Sequence, residues 1–117
     1  MIQKIQKEIH ANAKEKGWWP EGDDDTNNIM EKLMLVVTEI AEAAEEHRDY
    51  KTGDGIYYAP MNAQGMQKPE GFGIELADAV IRIFDIAEYL GIDMQQCIEI
   101  KMRYNKTRPL RHGGKRC

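Results

Sequence analysis

The chain has 117 residues, 31% charged and 42% hydrophobic, with a formal net charge of −4; these are the proportions of one soluble globular domain spanning residues 1–117. The acidic balance argues against a general nucleic-acid binder, and no apolar run approaches the roughly 18 residues that a membrane crossing needs. Cys97 and Cys117 have neither metal-ligand nor disulfide-scaffold spacing. The N-terminus lacks a signal-peptide core, so the expectation is a cytoplasmic protein with free thiols and a buried, inert Cys97.

Helical periodicity begins at once. Ile2, Ile5, Ile9 and Ala13 share a face of a helix over residues 2–16, and Gly17 ends it. Trp18, Trp19 and Pro20 follow. Two tryptophans past a helix end are expected to plug the core with at least one ring; the competing use is an aromatic platform for a planar ligand. Asp25 or Thr26 is a good N-cap for the next helix.

That helix is the centre of the sequence. Ile29 and, in the stretch from Met30 to Asp49, Leu33, Val36, Val37, Ile40, Ala43 and Ala44 form one broad apolar sector. Glu39, Glu42 and Glu46 stack on an adjacent stripe at three- and four-residue spacing, where like charges repel. His47 reads as a histidine at the core edge. Residues 50–72 keep no helical period and are rich in Gly and Pro, so they read as a long loop with a short turn near 59–65. A third helix is expected from Gly73 to Gly91, with Leu76, Ala79, Val80, Ile83, Phe84, Ala87 and Leu90 inward and Glu75, Asp78 and Arg82 on the other side. The bland account of the last three residues pairs Arg82 with Asp78 at i, i+4. A fourth helix, about Asp93 to Tyr104, is capped by Asp93, and a basic tail closes the chain.

If the second and third helices pack side by side, Glu39 and Glu42 face Glu75 and Asp78. Four hard oxygen donors converging on one point describe a magnesium site. A basic, glycine-containing tail beside it would complete a polyphosphate pocket. Wide apolar helix faces on so small a chain point to self-association.

Glu39-Ile-Ala-Glu42 followed by Glu75-Leu-Ala-Asp78, with Lys101, Asn105 and His112-Gly113-Gly114-Lys115 downstream, resembles the MazG-like all-α nucleoside triphosphate pyrophosphohydrolases, a group that includes dimeric dUTPases and dCTP pyrophosphatases. The resemblance covers about residues 29–116, and the segment between the two acid pairs is longer here than is typical. It implies an all-α, four-helix bundle completed by oligomerisation as a homodimer or homotetramer. It also implies hydrolysis of a nucleoside triphosphate to the monophosphate and pyrophosphate, as nucleotide-pool house-cleaning, with Mg²⁺ as cofactor and Mn²⁺ as a substitute. Carried over by position, Glu39, Glu42, Glu75 and Asp78 are the metal ligands, and Glu39, Glu42 or Glu46 orients the attacking water. Lys101, Asn105 and Lys115, with Arg108 and Arg111 as weaker candidates, become phosphate contacts; Trp18, Trp19 or His112 stacks on the base. The rival expectations are a non-catalytic helical oligomerisation module and a metal-binding regulator.

Overall fold

A computed structural model of the chain describes residues 1–20, 25–49 and 55–109. Its class is all-α: α1 (Ile2–Glu15), α2 (Asp25–Asp49), α3 (Phe72–Tyr89) and α4 (Met94–Thr107), with a small sheet of β1 (Tyr57–Tyr58) and β2 (Pro69–Glu70) between α2 and α3. Among the described residues, no helix is long and apolar enough to cross a membrane.

α3 is the central helix and runs antiparallel to both neighbours. On one flank, His47 and Glu39 of α2 meet Phe72 and Arg82 of α3. On the other flank, Gln6 and His10 of α1 meet Glu88 and Asp85. Among the described residues, the buried apolar side chains are Val36, Ala43, Ala79, Ile86 and Ala87, together with Trp19. Small residues dominate this seam, so the helices approach closely and the core stays thin.

The inward face of α1 differs from the expected one. Ile5, placed in the core by periodicity, is 47% exposed, whereas its neighbour Gln6 is 2% exposed. One residue is about 100° of helical rotation, and polar chemistry decides that rotation here. Gln6 Nε2 donates to Glu88 Oε1 at 2.9 Å and to the Ile92 carbonyl at 2.7 Å, while its Oε1 accepts from the Met94 amide at 3.3 Å. One buried amide thus ties α1 to the α3–α4 turn. Gln95 adds a second link by accepting from the Ile2 amide at the start of α1.

The end of α1 and the start of α4 follow the expected chemistry, whereas Asp25 and Thr26, expected to cap α2, lie within that helix. The amide of Trp18 reaches back to the Ala13 carbonyl across Gly17, whose φ of +86° lies in the left-handed region. Asp93 caps α4 by accepting from the Gln96 amide at 3.1 Å.

The part of the 50–72 segment that is described, from residue 55 on, is an ordered hairpin arm. Tyr57 pairs with Glu70 and Tyr58 with Pro69 in antiparallel register, and Asn62 Oδ1 accepts from the amides of Gln64 and Met66 at the tip. The base of the arm is pinned where Gly55 crosses Gly71. A Cβ on Gly71, whose φ is +118°, would lie 2.1 Å from the Gly55 carbonyl oxygen. Only glycine fits there.

Much of the expected core faces outward. Leu33, Val37 and Ile40 of α2, Leu76, Val80 and Ile83 of α3, and Leu90 at its C-cap are exposed, because each helix sector is wider than the neighbour it meets. α4 packs chiefly on α1 and buries no residue of its own, so Cys97, expected inside, is exposed. His47 is likewise exposed, with its ring 5.2 Å from that of Phe72. The radius of gyration is 17.2 Å, against about 13 Å for a compact domain of this length.

Replacing Gln6 by Ala strands the Ile92 carbonyl and Met94 amide, and should cost about 2–3 kcal/mol of stability. Ile5→Ala, on the exposed face, should cost under about 1 kcal/mol. Denaturant midpoints of the two variants check the assignment.

Candidate functional site

The α2–α3 seam gathers carboxylates from both helices. One oxygen each from Glu39, Glu75 and Asp78 lies within 4.8 Å of the others. Glu39 is 8% exposed, and Glu75 and Asp78 are half-buried. The spacing explains the grouping: Glu75 and Asp78 are one turn apart on α3, and the antiparallel packing sets that turn against Glu39 and Glu42 of α2. Glu42 stands at the exposed edge, close enough to Glu75 for the two carboxyl groups to share a proton.

The electrostatics carry the signature of crowding. Burial foremost, then the carboxylates of Glu42, Glu39 and Asp78, push the Glu75 carboxyl up from 4.5 to about 7. Asp78 is also raised, by burial and then by Glu39, with the Arg82 charge opposing. Glu75 Oε2 is buried and has no hydrogen-bond donor; a proton shared with Glu42, or a cation, would satisfy it.

Arg82 does not take the i, i+4 pairing with Asp78 as its hydrogen bond. Its Nε donates across the seam to Glu39 Oε1 at 2.9 Å, fixing the orientation of the most buried acid. Glu46, proposed with Glu39 and Glu42 as a water-orienting residue, lies outside the group of three. Its Oε1 accepts from the Tyr57 hydroxyl of the arm at 2.8 Å, and its Oε2 is buried without a partner. Glu46 is therefore where the arm docks on α2.

A cleft of about 230 Å³ opens beside the acids. Ile9, Asn12 and Ala13 of α1, Trp18, Lys32 and Glu39, and Asp78, Ile81, Arg82, Asp85 and Ile86 of α3 line it. Of the two tryptophans, one fills the core as expected and the other does not. Trp19 is buried, stacked on Tyr89 with centroids 3.9 Å apart, and its Nε1 donates to both oxygens of Asp85 at 2.9 and 3.0 Å. His10 Nδ1 meets the same carboxylate at 2.7 Å. Trp18 is 52% exposed and stands in the wall of the cleft.

The expected substrate contacts divide by location. Trp18 lines the cleft, whereas Lys101 and Asn105 on α4, and Arg108 just past its end, do not line it within one chain. Lys101 and Arg108 instead flank the Tyr104 ring, at 5.0 and 5.7 Å. Arg111, His112 and Lys115 fall outside the described residues. Sequence reasoning passed over Lys32 and Asn12. Lys32 lies two helical turns before Glu39 on the same face of α2, a signal present in the spacing.

A scan against models of known protein families finds no match, and neither curated proteins nor solved structures contain a match.

Glu75 yields a signed expectation. A carboxyl whose folded-state pKa lies above its unfolded value holds its proton more tightly when folded. Its stabilising contribution is therefore complete below about 4.5 and lost as pH rises through about 7. Metal-free protein should accordingly lose stability between pH 5 and 8, and Glu75→Gln should flatten that slope in thermal melts. A cation must displace the same proton, so Mn²⁺ affinity should climb by up to about tenfold per pH unit below 7. Titrations at pH 6, 7 and 8 measure it.

Proposed function

We propose that the chain is a cytoplasmic, Mg²⁺-dependent nucleoside triphosphate pyrophosphohydrolase of the MazG-like kind, acting in nucleotide-pool house-cleaning. The observation that carries this reading is the meeting of Glu39, Glu75 and Asp78, with the buried oxygen of Glu75 left without a donor, beside a cleft that also presents an exposed tryptophan.

The residues fit a hard divalent cation. The donors are all carboxylate oxygens, the set that suits Mg²⁺ and Mn²⁺ and not softer metals. Glu39, Glu75 and Asp78 would hold it, with Glu42 joining from the exposed edge. When bound there, Mg²⁺ supplies charge neutralisation and polarises the phosphoryl oxygens of the substrate. Arg82 keeps Glu39 turned toward the cluster. Glu42, the exposed member of the set, is the carboxylate with open space beside it for an attacking water, whose proton it takes. The water oxygen bonds to phosphorus as the anhydride bridge breaks, and pyrophosphate leaves with the bridging electrons. Trp18 offers a face for the base, and the arm held by Tyr57 and Glu46 borders the acids.

Assembly belongs to the same proposal. The exposed stripes on α2 and α3 and the extended shape suit a homodimer or homotetramer. In such an assembly, Lys101 and Asn105 of α4 and Arg108 after it could reach the cleft of another copy. Those stripes also favour a second reading, a helical interaction module without catalysis, in which the four acids are replaceable.

Pyrophosphate and monophosphate release from a panel of NTPs and dNTPs with Mg²⁺ separates the two readings. Turnover should fall roughly 10²–10⁴-fold in Glu42→Gln and at least as far in Asp78→Asn, with both variants folded. No turnover of any triphosphate by the wild type, with Mg²⁺ or Mn²⁺, would leave the interaction module. Val80→Arg should lower the sedimentation mass to that of a smaller species; an unchanged mass removes α3 from the interface.

A further inference from the structure

Two cations in the wall of the cleft are given no contact with substrate in the reaction as drawn above. Lys32 and Arg82 are the cationic residues that line it. Lys32 Nζ donates to the Trp18 carbonyl at 3.0 Å and lies 4.2 Å from the Trp19 ring centroid; among the described residues it has no carboxylate partner. Arg82 has five N–H donors, and among the described residues its one hydrogen bond is the Nε contact to Glu39.

We propose that Lys32 and Arg82 grip the phosphate chain, from the same subunit that supplies the acids. This rests on the pyrophosphohydrolase reading and adds in-subunit phosphate contacts to it.

Charge makes the case first. A divalent ion on three or four carboxylates leaves an excess of negative charge, which repels a polyphosphate. Lys32 and Arg82 cancel that excess within the cleft itself. The remaining acid on the wall, Asp85, is already engaged by Trp19 and His10.

Geometry makes it second. A guanidinium is a planar fork, so Arg82 can keep Glu39 through Nε while its terminal nitrogens take phosphate oxygens side by side. It then links the orientation of a cation ligand to the presence of substrate. Lys32 can leave a neutral carbonyl for a phosphate oxygen, which adds the attraction of opposite charges to the hydrogen bond. The lysine is held over the tryptophan pair, so its ammonium starts near the cleft mouth and not in bulk solvent.

The experiment is a calorimetric titration of the full chain with inorganic triphosphate at saturating Mn²⁺, beside Mn²⁺ binding followed by paramagnetic resonance. Lys32→Gln and Arg82→Gln should each weaken inorganic triphosphate about tenfold or more, with Mn²⁺ affinity held within about threefold. Arg82→Lys, which keeps the charge and loses the fork, should recover only part of the loss. Triphosphate affinity unchanged in folded variants overturns this inference and leaves the cation site standing. Parallel loss of Mn²⁺ and triphosphate in Arg82→Gln overturns the phosphate role of Arg82, which then only positions Glu39. Lys32 does not contact the acids, so Lys32→Gln still decides the matter if Arg82→Gln fails to fold. Wild-type protein that binds no Mn²⁺ overturns this inference and the reading beneath it together.

Discussion

Several carboxylates share a partly buried seam between two helices, and the rest of the molecule is arranged around that cost. At 4.8 Å or less, two ionised carboxylates repel by about 3 kcal/mol at an effective dielectric of about 20. Three together, one of them almost fully buried, would strain a domain whose total stability is of order 5–15 kcal/mol. The seam meets this cost in two visible ways. Arg82 crosses it to Glu39, and the Glu75 carboxyl holds its proton to about pH 7. A proton shared with Glu42 would also satisfy the buried, donorless oxygen of Glu75, but only below about pH 7. A divalent cation would serve all three acids at once, and a structural role for the acids offers no comparable compensation.

The scaffold holds that seam from both ends. At one end, Gln6 locks α1 to the α3–α4 turn, and the contacts of Asp85 with His10 and Trp19 repeat the attachment one turn away along α3. At the other, the Gly55–Gly71 crossing and the Tyr57–Glu46 hydrogen bond set the arm at the start of α3, beside Glu75. Polar contacts therefore do much of the positioning that a thicker apolar core would do elsewhere, while much of the apolar surface of α2 and α3 stays exposed. A chain built this way is suited to burying those stripes against a second copy.

The helices were legible in the sequence because apolar periodicity, Gly17, Gly91 and Asp93 all agreed on their limits. The acids were legible because three- and four-residue spacing fixes which side chains stack on one helix edge. Rotation about each helix axis was not legible. Periodicity ranks Ile5 above Gln6 as a core residue, and only the distant partners Glu88, Ile92 and Met94 reverse that order. Arg82 is a similar case, since its local option, Asp78, was visible and its choice of Glu39 depends on tertiary packing. The hairpin arm was read as a loop because its order comes from one backbone crossing between Gly55 and Gly71, with no periodic signal. Lys32 was overlooked for a simpler reason: on a helix edge dominated by acids, a lone lysine reads as a solvated charge.

Anomalous diffraction from crystals of the full chain grown with Mn²⁺ addresses the central claim directly. The account predicts one strong peak per chain within coordinating distance of Glu39, Glu75 and Asp78, lost in Asp78→Asn. No peak at that seam at millimolar Mn²⁺, with all four acids ordered, would contradict it.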